Sequence, residues 1–138
     1  MIKALIDTNV IIDFFLERQP FHGEAEIIFR KIADKKVAGY ISASAVTDIF
    51  YLLQKEKGRA NATNCILKLL RIIDVLGVDK NTIINALMLG WHDFEDAVQT
   101  QVAIENEMNV IITRNTKDYQ NIKGCQIFNP HDFIDLIG

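Results

Sequence analysis

Cysteine and histidine are too sparse and too scattered in this chain to build a site of their own. Cys65 and Cys125 are the only two cysteines and have no paired spacing. That argues against a disulfide framework or a cysteine zinc site and suits a reducing cytoplasm. His22, His92 and His131 form no HxxxH-type pair. A basic surplus is missing too: 15 Lys and Arg stand against 18 Asp and Glu, for a formal net charge of −3. Non-specific nucleic-acid affinity comes mostly from cations neutralising phosphates, so a general nucleic-acid coat protein is excluded. An acidic balance still permits a nuclease, because a bound metal and a local basic rim can hold one phosphate. No apolar run is long enough to span a bilayer, and no basic-then-apolar leader opens the sequence, so no membrane partner is expected. Repeats, low-complexity tracts and Pro/Gly/Ser-rich linkers are absent, which predicts one continuous domain over residues 1–138.

What is present is an alternation of short apolar runs and amphipathic stretches. Residues 2–6 read as a buried strand, followed by a helical run over 10–16. Ala25, Ile28, Phe29 and Ile32 recur at helical spacing, predicting a helix over 23–36. A second strand fits 37–41, and Ser42 or Ser44 can cap a helix reaching Gly58. Further helices fit 60–72, 80–89 and 94–107. Strands fit 73–76, 110–113 and 125–128, and Pro130 starts a terminal helix. This order predicts a three-layer α/β/α sandwich with a mostly parallel central sheet. Such sheets hold ligands in the crevice outside the carboxyl ends of their strands.

Acidic residues gather where that rule points. Asp7 follows the first strand, Asp118 follows the fourth, and Asp93 and Asp96 stand one helical turn apart in "WHDFEDAVQ". Asp48 lies within "SASAVTDIFYLL". Each has a plainer reading: Asp7 and Asp93 as helix caps, Asp48 as a solvated helix residue, Asp118 as a turn residue. Together they describe something else. Converging carboxylates repel, and a hard divalent cation such as Mg²⁺, bound through one or two of them, relieves the conflict. It also acidifies a bound water and neutralises charge on a phosphodiester. Thr8, Asn9, Thr113 and Asn115 flank the acids as outer groups for metal ligands or waters, with Asn85 a weaker candidate. Arg18, Lys55, Lys57, Arg59, Arg114 and Lys117 are candidates for a basic rim. Tyr51 and Trp91 can stack on a base, although core packing is the ordinary role of aromatics in apolar stretches. A receiver module fits "DVLGVDKN" poorly. A haloacid-dehalogenase-type phosphatase needs a second Asp where this chain has Asn9.

The segments "ALIDTNVIIDFFLERQPFH", "GYISASAVTDIFYLLQK", "DFEDAVQTQVAIENEMNVIITRNTKDYQ" and "FNPHDFI" resemble the PIN-domain family in order and spacing, over nearly the whole chain. The resemblance is to its small prokaryotic members, many of which are VapC-type toxin ribonucleases using magnesium or manganese. It implies Asp7 and Asp96 as the metal-site acids, with Asp48 and Asp118 as further catalytic acids and Asp93 more peripheral. Asp48 stands where many relatives have Glu. Asn115 stands at one place where relatives often carry Asp, three residues before Asp118. The resemblance further implies RNA as substrate, an antitoxin partner and a homodimer, with Phe14, Phe15, Leu16, Phe50 and Tyr51 as interface material. The contrasting expectation is a PIN-fold interaction module with weak or no nuclease activity.

Overall fold

A computed structural model describes residues 1–120, 122 and 124–138. Its centre is strand β1 (Lys3–Ile6), whose side chains alternate across the sheet as strand geometry requires. Ala4 and Ile6 join one hydrophobic cluster, and Leu5 joins another on the opposite face. Both faces are covered, so β1 reads as a continuous apolar run. Around it lie β2 (Ala38–Ser42), β3 (Ile73–Leu76), β4 (Val110–Ile112) and β5 (Gln126–Phe128). The order across the sheet is β3-β2-β1-β4-β5 and every pairing is parallel. Leu5 stands opposite Tyr40 on one side and Ile111 on the other.

The helices are α1 (Thr8–Phe15), α2 (His22–Ala33), α3 (Ala43–Lys57), α4 (Arg59–Leu69), α5 (Lys80–Met88), α6 (Phe94–Glu105) and α7 (Pro130–Ile137). Residues of α1, α2, α3, α4 and α7 pack with Ala4, Ile6, Ile41, Ile73 and Ile112 on one face. On the other face α6 supplies Ala103 against Leu5 and Ile111, and Ala97, Val98 and Val102 against Ala86 of α5. Gly39 shows how closely α2 approaches the sheet: a Cβ there would lie 2.8 Å from Ile32 Cδ1. Of the two candidate caps for α3, Ser42 performs the role, its Oγ accepting from the Ser44 amide at 3.3 Å.

The predicted elements are all present, with ends that coincide or move by up to three residues. Three side-chain expectations change. Phe14, Phe15, Leu16 and Phe50 lie partly buried against the main core, so they are packing residues and poor interface material. Tyr51, expected in the core or at an interface, is 68% exposed, which removes the core role and leaves the interface one. Asn85 is exposed on α5 and does not reach the acidic cavity. No helix among the described residues is long and apolar enough to cross a membrane.

Candidate metal centre

The strand order fixes where the site lies. From β1 the chain builds outward through β2 to β3, then returns to place β4 on the other side of β1. Connections leave β1 and β4 in opposite directions, which opens a crevice at their carboxyl ends. Asp7 lies immediately beyond β1 and Thr113 immediately beyond β4. The Asp7 amide donates to Ile112 O at 2.9 Å, holding the two strand ends together.

Asp7 stands at the cap position of α1, yet its side chain makes no capping bond. Its carboxylate instead accepts from Gln99 Nε2 at 2.9 Å, Thr113 Oγ1 at 2.7 Å, Tyr119 Oη at 3.2 Å and Asn9 Nδ2 at 3.3 Å. Asp93 does cap: its Oδ1 accepts from the Asp96 amide at 3.1 Å, starting α6. That cap sets Asp96 in the first turn of α6, only 9% exposed and facing Asp7 across the crevice.

A cavity of about 260 Å³ opens between them, lined by Asp7, Thr8, Asn9, Ile12, Arg18, Leu52, Asp93, Glu95, Asp96, Asn115 and Asp118. Five of these are carboxylates and one is a cation. The imbalance leaves its mark on Asp96, whose carboxyl is pushed up to about 7 by burial and then by the charges of Asp7, Asp93 and Asp118. The neighbouring Tyr119 hydroxyl works in the opposite direction. Glu95 is also raised, first by burial and then by Asp48 and Asp7, while a 3.2 Å bond from Thr8 Oγ1 partly offsets this. Burial and the charges of Asp7 and Asp96 push the Tyr119 phenol far above its ordinary range, so it stays a proton donor.

A divalent cation fits this donor set. Oxygen ligands dominate, the negative charge is uncompensated, and no thiol or imidazole takes part. Among the described residues, the cavity acids do not bring three ligand atoms within 4.8 Å of one another. Such spacing suits an ion held by one or two carboxylates and otherwise by water. The group that does meet this distance, His131, Asp132 and Asp135, is an exposed ion-pair cluster on α7. A larger hollow of about 870 Å³ touches the opening residues of β4 and β5, at the opposite edge of the sheet, and carries no carboxylate.

Among the other residues marked in the sequence, Thr8, Asn9, Asp93, Asn115 and Asp118 reach the cavity wall, and Thr113 lies behind it, fully buried against Asp7. Asp48 is exposed on α3 and outside the wall, though its charge reaches Glu95. Trp91 meets Tyr119 edge to face at 6.0 Å and therefore supports the site from behind. Of the expected basic rim only Arg18 lines the cavity. Arg114 is a correction: it clamps Asp13, 1% exposed, through Nε and Nη2, and lies 4.0 Å above the Phe21 ring. Its charge is spent inside the fold.

Four participants went unmarked in the sequence. Glu95 lies inside the "DFEDA" segment, and Gln99 follows Asp96 by one helical turn, so spacing could have found both. Asp13 sits within "VIIDFF", where one acid among apolar residues is the available signal. Tyr119 offered none.

The geometry agrees with what the chain is similar to. "Ribonuclease VapC1" of Aquifex aeolicus (strain VF5) is 25% identical over 122 residues, covering 85% of this chain and 84% of the relative. A toxin–antitoxin complex from Klebsiella pneumoniae superposes with a TM-score of 0.68 at 23% identity, covering 92% of this chain and 97% of that one. VapC20 of Mycobacterium tuberculosis, described as a sarcin–ricin loop cleaving toxin, gives a TM-score of 0.63 at 20% identity, covering 78% and 86%. The model of the PIN domain matches residues 3–117, from the first residue of β1 to the turn that follows β4. On that match, the chain belongs to the PIN domain family.

Proposed function

We propose that this chain is a metal-dependent endoribonuclease and the toxin of a toxin–antitoxin pair, acting as one domain in the cytoplasm. The observation that carries the reading is the crowding of five carboxylates with one arginine in a cavity at the switch point of the sheet. Asp7 and Asp96 would hold the ion, Mg²⁺ or Mn²⁺. Bound there, such an ion acidifies a water and neutralises charge developing on a phosphodiester. The chain's own groups supply the rest. Four donors fix Asp7 before substrate arrives. Asp118, on the cavity wall, would accept the proton released by the attacking water, and the exposed Asp48, outside the wall, would act on the site only through its charge. The water oxygen would bond to phosphorus as the P–O3′ bond breaks, and the departing O3′ would take a proton from solvent, leaving a 5′-phosphate and a 3′-hydroxyl. No RNA 2′-hydroxyl is needed as nucleophile. Arg18, the cation of the wall, is placed to meet a flanking phosphate.

RNA as substrate is supported by the activity named for the Aquifex and Mycobacterium relatives, and an antitoxin partner by the Klebsiella complex. For a protein partner or a second copy the surface offers α5, where Leu87 is 61% and Met88 80% exposed. A homodimer is expected, and a monomer mass by light scattering at high micromolar concentration would count against it. The function is tested by incubating purified protein with mixed RNAs. Cleavage should stop in EDTA and return with Mg²⁺ or Mn²⁺. Full cleavage after exhaustive chelation would overturn the metal mechanism.

A further inference from the structure

Asp7 is held more elaborately than a metal ligand requires, and the pattern of its bonds is asymmetric. Each carboxylate oxygen offers two lone-pair directions. On Oδ2, Thr113 at 2.7 Å and Tyr119 at 3.2 Å take both, with Asn9 standing third at 3.3 Å. Among the described residues Oδ1 accepts only from Gln99, at 2.9 Å, and keeps a lone pair.

The Gln99 amide serves both sides of this arrangement. Its Nε2 donates to Asp7 Oδ1 and also to Tyr119 Oη at 3.1 Å, and the phenol in turn donates to Asp7 Oδ2 at 3.2 Å. The result is a closed ring of three side chains from α6, β1's exit and the segment after β4. Its orientation is chemically fixed, because an amide oxygen turned toward a carboxylate would repel it. That orientation has a cost. Gln99 is fully buried, and its Oε1 has no hydrogen-bond partner among the described residues. An orphaned buried oxygen is destabilising, so the amide is arranged for Asp7 rather than for the stability of the fold.

We propose that Tyr119 and Gln99 are positioning residues that decide which oxygen of Asp7 is free to bind the cation, tying down Oδ2 and leaving Oδ1. The proposal rests on the metal-site reading above and deepens it. Without the phenol, Oδ2 keeps Thr113 and the longer Asn9 contact but loses the link to Gln99, so the carboxylate is held less firmly before the ion arrives. Removing such outer hydrogen bonds typically weakens metal affinity 10–100-fold.

The test is calorimetric titration of the metal-free full chain with Mn²⁺, with no RNA present. Tyr119→Phe keeps the ring against Trp91 and removes only the hydroxyl. Its Mn²⁺ affinity should fall about tenfold or more, and Gln99→Met should do the same. Because the two residues act through one ring, the double variant should lose little beyond the weaker single. A merely structural role would lower the melting temperature and leave the Mn²⁺ affinity alone. Should Tyr119→Phe fail to fold, Gln99→Met carries the comparison. Wild-type affinity in a folded Tyr119→Phe or Gln99→Met overturns the proposal and leaves the metal site standing. A wild-type protein that binds no Mn²⁺ overturns both. Mn²⁺ binding without RNA cleavage in the wild type defeats the nuclease reading alone.

Discussion

Replacing Asp96 by Asn should stabilise the metal-free protein while abolishing its response to metal. The side chain keeps its shape and loses one charge, and the α6 cap is untouched because it uses the Asp96 backbone amide. The folded carboxyl is raised from 3.8 to about 7, so the folded state binds this proton more tightly than the unfolded chain does. Above pH 7 Asp96 is ionised in both states and the folded protein carries the full penalty. As pH falls through 7 toward 4 the folded state takes up the proton first and the penalty fades. The displacement corresponds to at most about 4 kcal/mol at 1.36 kcal/mol per pKa unit. Asp96 borders an open cavity, and solvent screening brings that to about 1–2 kcal/mol. For a chain of this size the gain is about 3–8 °C in melting temperature. Thermal unfolding of both proteins without metal at pH 8 and pH 4 measures it: Asp96→Asn should lead clearly at pH 8 and scarcely at pH 4. Mn²⁺ should then raise the melting temperature of the wild type and not of the variant, since only a bound ligand shifts the equilibrium. A variant that is no more stable at pH 8, or that still responds to Mn²⁺ and cleaves RNA, refutes the reasoning.

Two further predictions concern the frame around the site. Arg114→Met leaves Asp13 buried without its partner and should destabilise the fold by about 3 kcal/mol, read by urea denaturation; a loss below about 1 kcal/mol would mean that the pair is not the clamp described. Gly39→Ala forces a methyl against Ile32 and Ile73 and should cost about 1–3 kcal/mol with metal binding unaltered; an unchanged urea midpoint would show that α2 gives way freely.

The sequence made most of the fold legible because the signals are local. Apolar runs of strand length alternate with helical periodicity, caps such as Ser42 and Asp93 mark where helices begin, and Pro130 opens the last one. It also revealed the acids, since strand ends can be read and the parallel sheet gives those ends a meaning. Contacts between distant segments were another matter. Gln99 and Tyr119 reach Asp7 across 92 and 112 residues, and Arg114 reaches Asp13 across 101. No periodicity records such meetings. Tyr51 failed for a different reason: in "IFYLL" every residue is apolar, so the stretch does not say which of them faces out.

The strand order also has a temporal consequence. β1 is the first strand made and the central one in the sheet, yet its partner β4 comes more than a hundred residues later. Chains fold from the N-terminal end as they emerge, so Asp7 appears early and waits for Gln99, Thr113 and Tyr119. A growing chain therefore carries no assembled centre until Tyr119 has been synthesised. The proposed centre is thus a late product of synthesis, although its first acid is among the earliest residues made.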